Sequence, residues 1–325
     1  MDSTDSGSER PAAAGGTGGA GRDRDDVISV LMCTCNRPTD AHRAVTSLLL
    51  SPRAEVEVIV VDQSTDRATE QALKDLIADP RVRYVASRTK GKGAAMNEGL
   101  ALARSEYVVC TDDDCETPIN WAGDMAALLA SQPRTAVLFC SVVAPPHDES
   151  TGYVPQYRPA RDRLFRSAMS TCLHRGIGAG MAVRRDVVLS LDGIDQSFGP
   201  GAKFASGDDW DLQLRTILNG WESFETNRLE VIHHGFRTYE QGRAHTRRDW
   251  FAMGAAAAKP VRAGHLTLVA LGIELLLIDA VVPMLRDLMS LRKPQGIRRI
   301  TAFCNGFARG LATPVDRTTL KYRAS

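Results

Sequence analysis

The stretch YVVCTDDDCETP, residues 107–118, ends a short apolar run on three consecutive aspartates, Asp112, Asp113 and Asp114. Neighbouring carboxylates repel one another, so a buried strand that ends on three of them needs an opposing charge. In an extended segment alternate side chains share a face, so Asp112 and Asp114 should converge and Asp113 should point away. Two convergent carboxylates are typical ligands of Mg²⁺ or Mn²⁺. A solvated acidic turn that caps the next helix explains the aspartates equally well.

Apolar runs alternate with helical patterns on both sides of this stretch. Strands are predicted for VISVLMCTC (27–35), VEVIVVD (56–62), VRYVAS (82–87) and EYVVCTD (106–112). Helices are predicted between them, at residues 40–50, 68–79 and 91–105. This alternation predicts an α/β fold with a mostly parallel, Rossmann-like sheet and helices on both faces. Ligands bind at the carboxyl ends of such strands, and Asp62 and Asp112 both lie there.

The second half of the chain is less regular. Strands are predicted at residues 136–145, 177–185 and 229–237, and a helix at 209–220 that starts near Asp208. After Trp250 the pattern predicts only helices. The predicted organisation is a disordered arm over residues 1–26, an α/β domain over 27–236 and a helical, basic extension over 237–325.

The composition limits the class of protein. A chain of 325 residues that is 43% hydrophobic can bury a sizeable core. Residues 235–325 contain 15 Lys and Arg against 6 Asp and Glu, whereas the first 234 residues contain 25 against 33. A basic tail on an acidic body indicates an anionic partner, and we expect a membrane surface rather than nucleic acid. Seven cysteines without metal-type spacing, and no signal-peptide pattern at the start, predict reduced thiols in a cytoplasmic protein.

One apolar run lies in the extension. The segment LTLVALGIELLLIDAVVPML (266–285) is long enough to cross a bilayer, but Glu274 and Asp279 inside it would be costly there. Basic residues follow it, namely Arg286, Arg292, Lys293, Arg298 and Arg299. We therefore expect a peripheral helix on the anionic inner face of a membrane, with a soluble helical cap and a true span as alternatives.

Eight motifs, taken in order, resemble the family 2 inverting glycosyltransferases of the GT-A fold. They are CTCNRP, VIVVDQSTD, GKGAAMNEGL, TDDDCETP, GAGMAVRRD, GIDQSFGPG, GDDWDLQLR and VIHHG. The resemblance runs from about Val27 to Gly235 and fades after Phe236. It implies a GT-A fold, a nucleotide-diphosphate sugar as donor, an acceptor that offers a hydroxyl, and Mn²⁺ or Mg²⁺ as cofactor.

The resemblance also implies roles for individual residues. It implies a nucleotide and donor site made of Thr34, Arg37, Asp62, Lys92, Asn97, Asp112 and Asp113. It implies a metal site made of Asp112, Asp114 and His233, with His234 the less suitable histidine. Met96 departs from the pattern, because relatives often carry a basic residue there.

The catalytic base implied by the GDDWD motif is Asp209. Asp208, Trp210 and Gly180 are the implied acceptor-binding residues. Carboxylates at a helix start also serve as caps, and Trp210 fits the core as well as it fits a sugar. A nucleotidyltransferase on a similar sheet and a non-catalytic sugar-binding protein remain the alternatives to a glycosyltransferase.

Overall fold

The computed structural model describes residues 27–323, except 53–55, 174–175, 292–293 and 295. The predicted disordered arm over residues 1–26 lies outside the described residues, as do Arg292 and Lys293. The described part of the chain forms an α/β body on a nine-stranded sheet, followed by a helical extension. All seven cysteines lie in the described part and are free thiols.

Eleven strands and eleven helices make up the described chain. The strands are β1 (Ile28–Thr34), β2 (Val56–Asp62), β3 (Val82–Ala86), β4 (Tyr107–Asp112), β5 (Cys115–Glu116), β6 (Thr135–Val143), β7 (Gly152–Tyr153), β8 (Arg163–Phe165), β9 (Met181–Arg184), β10 (Glu222–His233) and β11 (Arg237–Thr238). The helices are α1 (Pro38–Leu49), α2 (Ala68–Ala72), α3 (Lys74–Ile77), α4 (Lys92–Leu102), α5 (Trp121–Ala130), α6 (Arg185–Ser190), α7 (Asp208–Leu218), α8 (Tyr239–Ala263), α9 (Val269–Leu276), α10 (Val282–Met289) and α11 (Gly296–Leu311). A π-helical turn, Leu277–Val281, joins α9 to α10.

The strand directions bring the functional ends of the sheet together. The order is β3-β2-β1-β4-β9-β6-β10-β5, and β8 also pairs with β10. Strands β1 to β4 are parallel, and β6 and β10 run the same way because β9 is antiparallel to both β4 and β6. The carboxyl ends of β1, β2, β4 and β10 therefore share one edge, where parallel sheets bind ligands. The predicted α/β class and mostly parallel sheet are confirmed.

Alternating side chains of the central strands belong to two separate hydrophobic cores, one on each face of the sheet. Val58 and Val60 of β2 pack on one face of the sheet with α1 and α5, whereas Ile59 and Val61 pack on the other face with α4. All seven residues of β2 are buried. A continuous apolar run is expected for a strand that is covered on both faces.

Several predicted boundaries were wrong. The helix predicted at 68–79 is two short helices that meet at the fully buried Leu73. The strand predicted at 177–185 begins only at Met181, after a 3₁₀ turn.

Strand β10 begins at Glu222, seven residues before the predicted start. Its first half is polar in sequence, yet Ser223, Glu225 and Thr226 are buried. Partners elsewhere in the fold satisfy them, such as Gln213 Nε2, which donates to Ser223 Oγ at 3.0 Å. Local pattern analysis assigns such polar runs to loops, because it does not see these distant partners.

The helices of the extension pack closely against one another. Helix α8 starts at Tyr239, much earlier than predicted, and Thr238 and Gln241 cap its start reciprocally. It packs on α11 with no room for side chains at the crossing. A Cβ on Gly254 would lie 2.1 Å from the Phe303 carbonyl oxygen, and one on Gly306 would lie 1.9 Å from that of Phe251.

A buried ionic cluster joins the extension to the body. The ammonium group of Lys259 on α8 contacts Asp195 Oδ2 and lies 2.6 Å from Asp211 Oδ1 of α7. All three side chains are at most 2% exposed. The rings of Phe198 and Tyr322 flank the ammonium with centroids 4.4 and 5.0 Å away. One cation therefore neutralises carboxylates from two segments of the body.

We expect Lys259→Met to lower the free energy of unfolding by about 3–5 kcal/mol, because two buried carboxylates lose their shared cation. Urea denaturation followed by circular dichroism measures this loss. Lys203→Met is the matched control, since Lys203 is exposed and also lies over a ring, that of Phe204. Equal stability of the two variants would contradict the role of the cluster.

Candidate active site

The three aspartates lie where β4 turns into β5. Residues 113–114 form a turn, and β5 then pairs with β10 so that Cys115 faces His233. The backbone N–H of His234 donates to the Asp114 carbonyl oxygen at 2.8 Å. The turn, rather than the extended segment predicted, therefore brings Asp112 and Asp114 to the same side and places Asp114 beside His233.

Asp112, Asp114 and His233 form a cluster that could hold a metal ion; we call it the carboxylate–histidine triad. Its potential ligand atoms all lie within 4.8 Å of one another. Asp114 Oδ1 is buried without a hydrogen-bond partner among the described residues, and lies 3.3 Å from His233 Nε2. A buried, unpaired carboxylate oxygen is costly, so this position suits a cation.

The backbone of Pro155 orients the imidazole of His233. Its Nδ1 lies 3.1 Å from the Pro155 carbonyl oxygen, which can only accept, so Nδ1 carries the proton and Nε2 faces the triad. Burial alone would lower the pKa of His233, but Asp114 and then Asp112 raise it. Burial would raise the pKa of Asp114, but His233 and Arg37 bring it down to about 2.

His234 points elsewhere. Its Nε2 lies 3.1 Å from Glu116 Oε2, away from Asp112 and Asp114. The alternation of side chains along the end of β10 separates the two histidines. The donor set of the triad, two carboxylates and one imidazole, fits a divalent cation.

Asp113 faces the end of β1 instead. Thr34 Oγ1 donates to Asp113 Oδ2 at 2.8 Å, and the half-exposed Arg37 bridges Asp113 Oδ1 at 3.0 Å and Asp114 Oδ2 at 3.1 Å. Burial raises the pKa of Asp113 to about 6, against the opposing effects of Arg37 and Thr34. Asp113 therefore points away from the triad, in the direction that the sequence predicted.

Asp62 lies opposite Thr34 in the β1–β2 register, at the same edge of the sheet. The carboxylate is buried, and both of its oxygens are engaged. Ser64 donates to Oδ1 through its backbone N–H at 2.8 Å, and the hydroxyl of Tyr84 donates to Oδ2 at 2.7 Å. Asp62 is thus held rigidly at the mouth of the sheet.

Lys92 forms an ion pair with Asp112. Its ammonium lies 2.5 Å from Asp112 Oδ1. Burial alone would lower the pKa of Lys92, but Asp112 and then Asp208 raise it well above its ordinary value. Lys92, Asp112, Gly178, Asp208 and Asp209 line one small recess, which we call the strand-end cavity.

Asp208 and Asp209 begin α7 and face different surroundings. Asp209 Oδ2 accepts from the backbone N–H of Gly178 at 2.9 Å, and Oδ1 accepts from that of Trp210 at 2.7 Å. These two donors fix the orientation of the carboxylate. Burial, followed by the charge of Asp209, raises the pKa of Asp208 to about 6, and Lys92 opposes the rise.

A second cavity, of about 450 Å³, opens on the other side of Asp209. We call it the helix-side cavity. It is bounded by Asp209 and Trp210 of α7, Trp250 of α8, Asp279 of the π turn and Arg299 of α11. Asp209 lines both cavities, whereas Asp208 lines only the strand-end cavity. The first turn of α7 is therefore the wall between them.

Three residues implied by the resemblance have other surroundings. The Asn97 amide donates to the Ile194 carbonyl oxygen at 2.9 Å and accepts from the Ile194 N–H at 2.7 Å, so it braces a loop rather than facing a ligand. Gly180 packs inside the sheet, where a Cβ would lie 2.7 Å from Cys140 Sγ, so it does not line an acceptor site. Asp208 lies on the Lys92 side of Asp209, not in the helix-side cavity.

Trp210 combines the two roles that the sequence left open. It is buried in a core cluster, and its Nε1 donates to the Thr171 carbonyl oxygen at 3.3 Å, yet it also lines the helix-side cavity. Sequence reasoning missed Gly178, Trp250, Asp279 and Arg299. Of these, only Gly178 had a signal, as the first glycine of GAG next to the predicted Gly180.

Comparison with known proteins relates this chain to a family. Residues 29–190 match the model of Glycosyl transferase family 2. The succinoglycan biosynthesis protein ExoO of Rhizobium meliloti (strain 1021) is 36% identical over 93 residues, which is 28% of this chain. That segment is 26% of ExoO, so the chain spans about a quarter of this relative.

Two solved structures share the fold, which is GT-A. A mannosyltransferase from Pyrobaculum calidifontis, in complex with GDP-Man and Mn²⁺, aligns with a TM-score of 0.59 and 19% identity, over 89% of this chain and 88% of that one. S. aureus TarS in complex with UDP-GlcNAc aligns with a TM-score of 0.52 and 17% identity, over 71% of this chain and 65% of that one. At such identities the likeness shows the fold alone.

We expect His233→Gln to weaken Mn²⁺ binding by more than the roughly 10–100-fold that loss of an outer-shell partner costs, because a ligand atom of the triad is removed. Calorimetric titration with Mn²⁺ measures the affinity. His234→Gln is the matched control, since its side chain faces Glu116. Similar losses in both variants would show that the ion binds elsewhere.

Proposed function

Because the chain belongs to glycosyl transferase family 2, we propose that it transfers a sugar from a nucleotide-diphosphate sugar to an acceptor hydroxyl, with inversion at the anomeric carbon. One observation carries the proposal: Asp209 lines both cavities, and Asp112 links the strand-end cavity to the triad. A donor on one side of Asp209 and an acceptor on the other would meet at a single carboxylate.

The donor side lies along the carboxyl ends of β1, β2 and β4. Thr34, Arg37 and Asp62 form a polar rim there that suits a nucleotide base and ribose, and Lys92 adds a positive charge for a phosphate. An Mn²⁺ or Mg²⁺ ion held by Asp112, Asp114 and His233 would neutralise charge on the donor diphosphate. The imidazole favours Mn²⁺ over Mg²⁺, which prefers oxygen ligands.

The transfer itself needs one base. The acceptor oxygen attacks the anomeric carbon while its proton passes to Asp209. The bond from that carbon to the diphosphate oxygen breaks, and the nucleoside diphosphate leaves with the electron pair. Gly178 and Trp210 hold the carboxylate in place through their backbone N–H groups, so its position is set before substrate arrives. One displacement from the opposite face gives inversion.

We expect the protein to release nucleoside diphosphate from a nucleotide sugar in the presence of Mn²⁺. Asp209→Asn should lower turnover by roughly 10²–10⁴-fold, the usual contribution of a positioned general base, and should leave donor affinity unchanged. Asp208→Asn is the matched neighbour and should cost less. The assay combines steady-state kinetics with NMR of the product anomer.

Other outcomes separate the alternatives. Release of pyrophosphate instead of nucleoside diphosphate would indicate a nucleotidyltransferase. Sugar binding without any release, across a panel of nucleotide sugars, would indicate a non-catalytic sugar-binding protein. If Asp209→Asn stays active and Asp208→Asn is inactive, the base is Asp208 and not Asp209.

The extension supports a second part of the proposal, contact with a membrane. Among the described residues, Leu266–Met289 is a helical segment long and apolar enough to cross a bilayer, and only 22% of its most apolar window is buried. Exposed apolar side chains follow one face of it: Leu266, Val269, Ile273, Leu277, Val282, Leu285, Leu288 and Met289. We call this face the apolar stripe.

The π turn keeps the apolar stripe on one face. From Leu266 to Leu288 the spacing is three or four residues, except between Leu277 and Val282, where it is five; Met289 directly follows Leu288. That step spans the π turn, whose i→i+5 hydrogen bonding accommodates one extra residue in the turn, so the side chains on either side stay aligned. Arg286 and Arg298 are exposed close by in sequence. We propose that the stripe lies on the anionic inner face of a membrane, with the body in the cytoplasm.

We expect the double variant Ile273→Gln/Leu277→Gln to lose flotation with vesicles that contain phosphatidylglycerol. Each apolar side chain contributes about 1.5–3 kcal/mol when fully buried, so even partial burial of two should change affinity by at least about tenfold. Leu50→Gln/Ile119→Gln is the matched control, because both side chains are 62% exposed outside the stripe. Equal flotation of the stripe variant and the control variant would exclude membrane binding through the apolar stripe. Extraction of the protein from membranes only by detergent would indicate a true span.

A further inference from the structure

One segment of the body that belongs to none of the sequence motifs passes beside the triad. Residues 144–158, APPHDESTGYVPQYR, leave the end of β6, run through β7 and return to β6, and we call them the strap. The strap lies at the nitrogen of His233 that does not face Asp114. Its Pro155 carbonyl oxygen is 3.1 Å from His233 Nδ1, whereas Asp114 Oδ1 is 3.3 Å from Nε2.

Two backbone pairings hold the strap on either side of Pro155. Before Pro155, β7 pairs antiparallel with β11. After it, Tyr157 donates to the Val142 carbonyl oxygen at 2.8 Å and accepts from the Val142 N–H at 2.9 Å. Val154 is buried between these two anchors. The proline ring also restricts the backbone of Pro155, so the carbonyl group is a fixed acceptor for the imidazole.

The pairing of β7 with β11 requires a residue without a side chain. A Cβ on Gly152 would lie 2.6 Å from Phe236 Cζ and closer still to the carbonyl oxygen of Arg237. The ring of Phe236 also packs edge-on against His147 at the start of the strap, with 6.1 Å between the centroids. Gly152 is therefore the point at which the strap approaches the chain that follows His233.

The space beside the other nitrogen of the imidazole is kept open. A Cβ on Gly235 would lie 2.7 Å from His233 Cε1 and 2.9 Å from Asp114 Oδ2, so no side chain fits between the ring and the carboxylate. The strap therefore holds Nδ1 in place, and Gly235 leaves room for a ligand of Nε2.

The extension also holds the strap. Thr238 pairs with β7 and caps the start of α8. The hydroxyl of Tyr239 donates to the Glu149 carbonyl oxygen at 2.6 Å. The ring of Tyr153 packs on Gly242 of α8, where a Cβ would lie 2.5 Å from Tyr153 Cε1. The strap is thus fixed between the sheet and the first helix of the extension.

We propose that the strap is the positioning element of the metal site: the Pro155 carbonyl group sets the tautomer and orientation of His233, and Gly152 sets the place of Pro155. This rests on the metal-dependent transfer proposed above and adds two positioning residues, neither of which is a ligand of the ion. Loss of an outer-shell partner of a metal-binding histidine costs roughly 10–100-fold in metal affinity.

The first experiment measures metal affinity without catalysis. Calorimetric titration of the full chain with Mn²⁺ should show affinities about 10–100-fold weaker for Gly152→Ala and for Pro155→Gly. Gly152→Ala forces β7 away from β11 and moves Pro155 with it. Pro155→Gly keeps the carbonyl group but frees the backbone that carries it.

Two matched controls separate positioning from loss of stability. Gly306→Ala creates the same kind of overlap in the extension, with the Phe251 carbonyl oxygen, and should lower the thermal midpoint without changing Mn²⁺ affinity. Pro133→Gly removes an exposed proline before β6 and should leave the affinity unchanged. If Gly152→Ala does not fold, Pro155→Gly and Pro133→Gly carry the test. Equal losses of affinity in the strap variants and their controls overturn the proposal.

Pulsed EPR supplies a readout that a loss of stability alone would not change. A nitrogen bound directly to Mn²⁺ modulates the electron spin echo, so the parent chain should show this modulation and His233→Gln should lose it. At saturating Mn²⁺ the modulation should be weaker in Gly152→Ala and Pro155→Gly, because the ring no longer holds Nε2 toward the ion. Gly306→Ala should keep the full modulation.

The outcomes distinguish this proposal from those on which it rests. Parent affinity and full nitrogen modulation in both strap variants overturn the role of the strap and leave the metal site intact. A parent chain that does not bind Mn²⁺ overturns the metal site and the strap together. Mn²⁺ binding that depends on the strap, without release of nucleoside diphosphate from any nucleotide sugar, overturns the transfer and leaves the strap intact.

Discussion

The buried ammonium of Lys259 is the constraint on which both cavities depend. It neutralises Asp195, in the loop that follows α6, and Asp211, two residues after Asp209 on α7. Arg215, buried beside Asp211 at 4.0 Å, brings the cluster to a net charge of zero. Burial raises the pKa of Asp211. Burial also acts to raise the pKa of Asp195, but Lys259 and the backbone N–H groups of Tyr322 and Ser197 together lower it. Since Lys259 belongs to the extension, the start of α7 is set by a part of the chain outside the sheet.

The sheet and the extension therefore contribute different parts of the candidate site. The sheet edge carries the triad and the polar rim around Asp62, which follow from strand directions alone. The extension contributes the far wall of the helix-side cavity. Asp209 lies at the boundary, and its carboxylate accepts hydrogen bonds from the backbone N–H groups of Gly178 and Trp210. A change in the extension can therefore alter the helix-side cavity and leave the edge of the sheet intact.

The predictable part of the fold was the part governed by local pattern. Strands β2 and β4 were predicted to within a residue, because central parallel strands are continuous apolar runs bounded by polar ends. The start of β10 was missed, because Ser223 and Glu225 are polar yet buried. The start of α8 was missed although Thr238 and Gln241 form a capping box that a search for such pairs would find.

By itself the sequence determined the class of fold, the edge of the sheet that carries the site, and the residue types that gather there. Motif order was enough to indicate Asp112, Asp114, His233 and Asp209, which are distant in sequence. Only the tertiary structure decided their neighbours: that Lys92 pairs with Asp112, that Asn97 braces Ile194, and that Gly178 rather than Gly180 meets Asp209. The sequence did not predict the helix-side cavity, because its walls come from segments of the body and the extension that are distant in sequence.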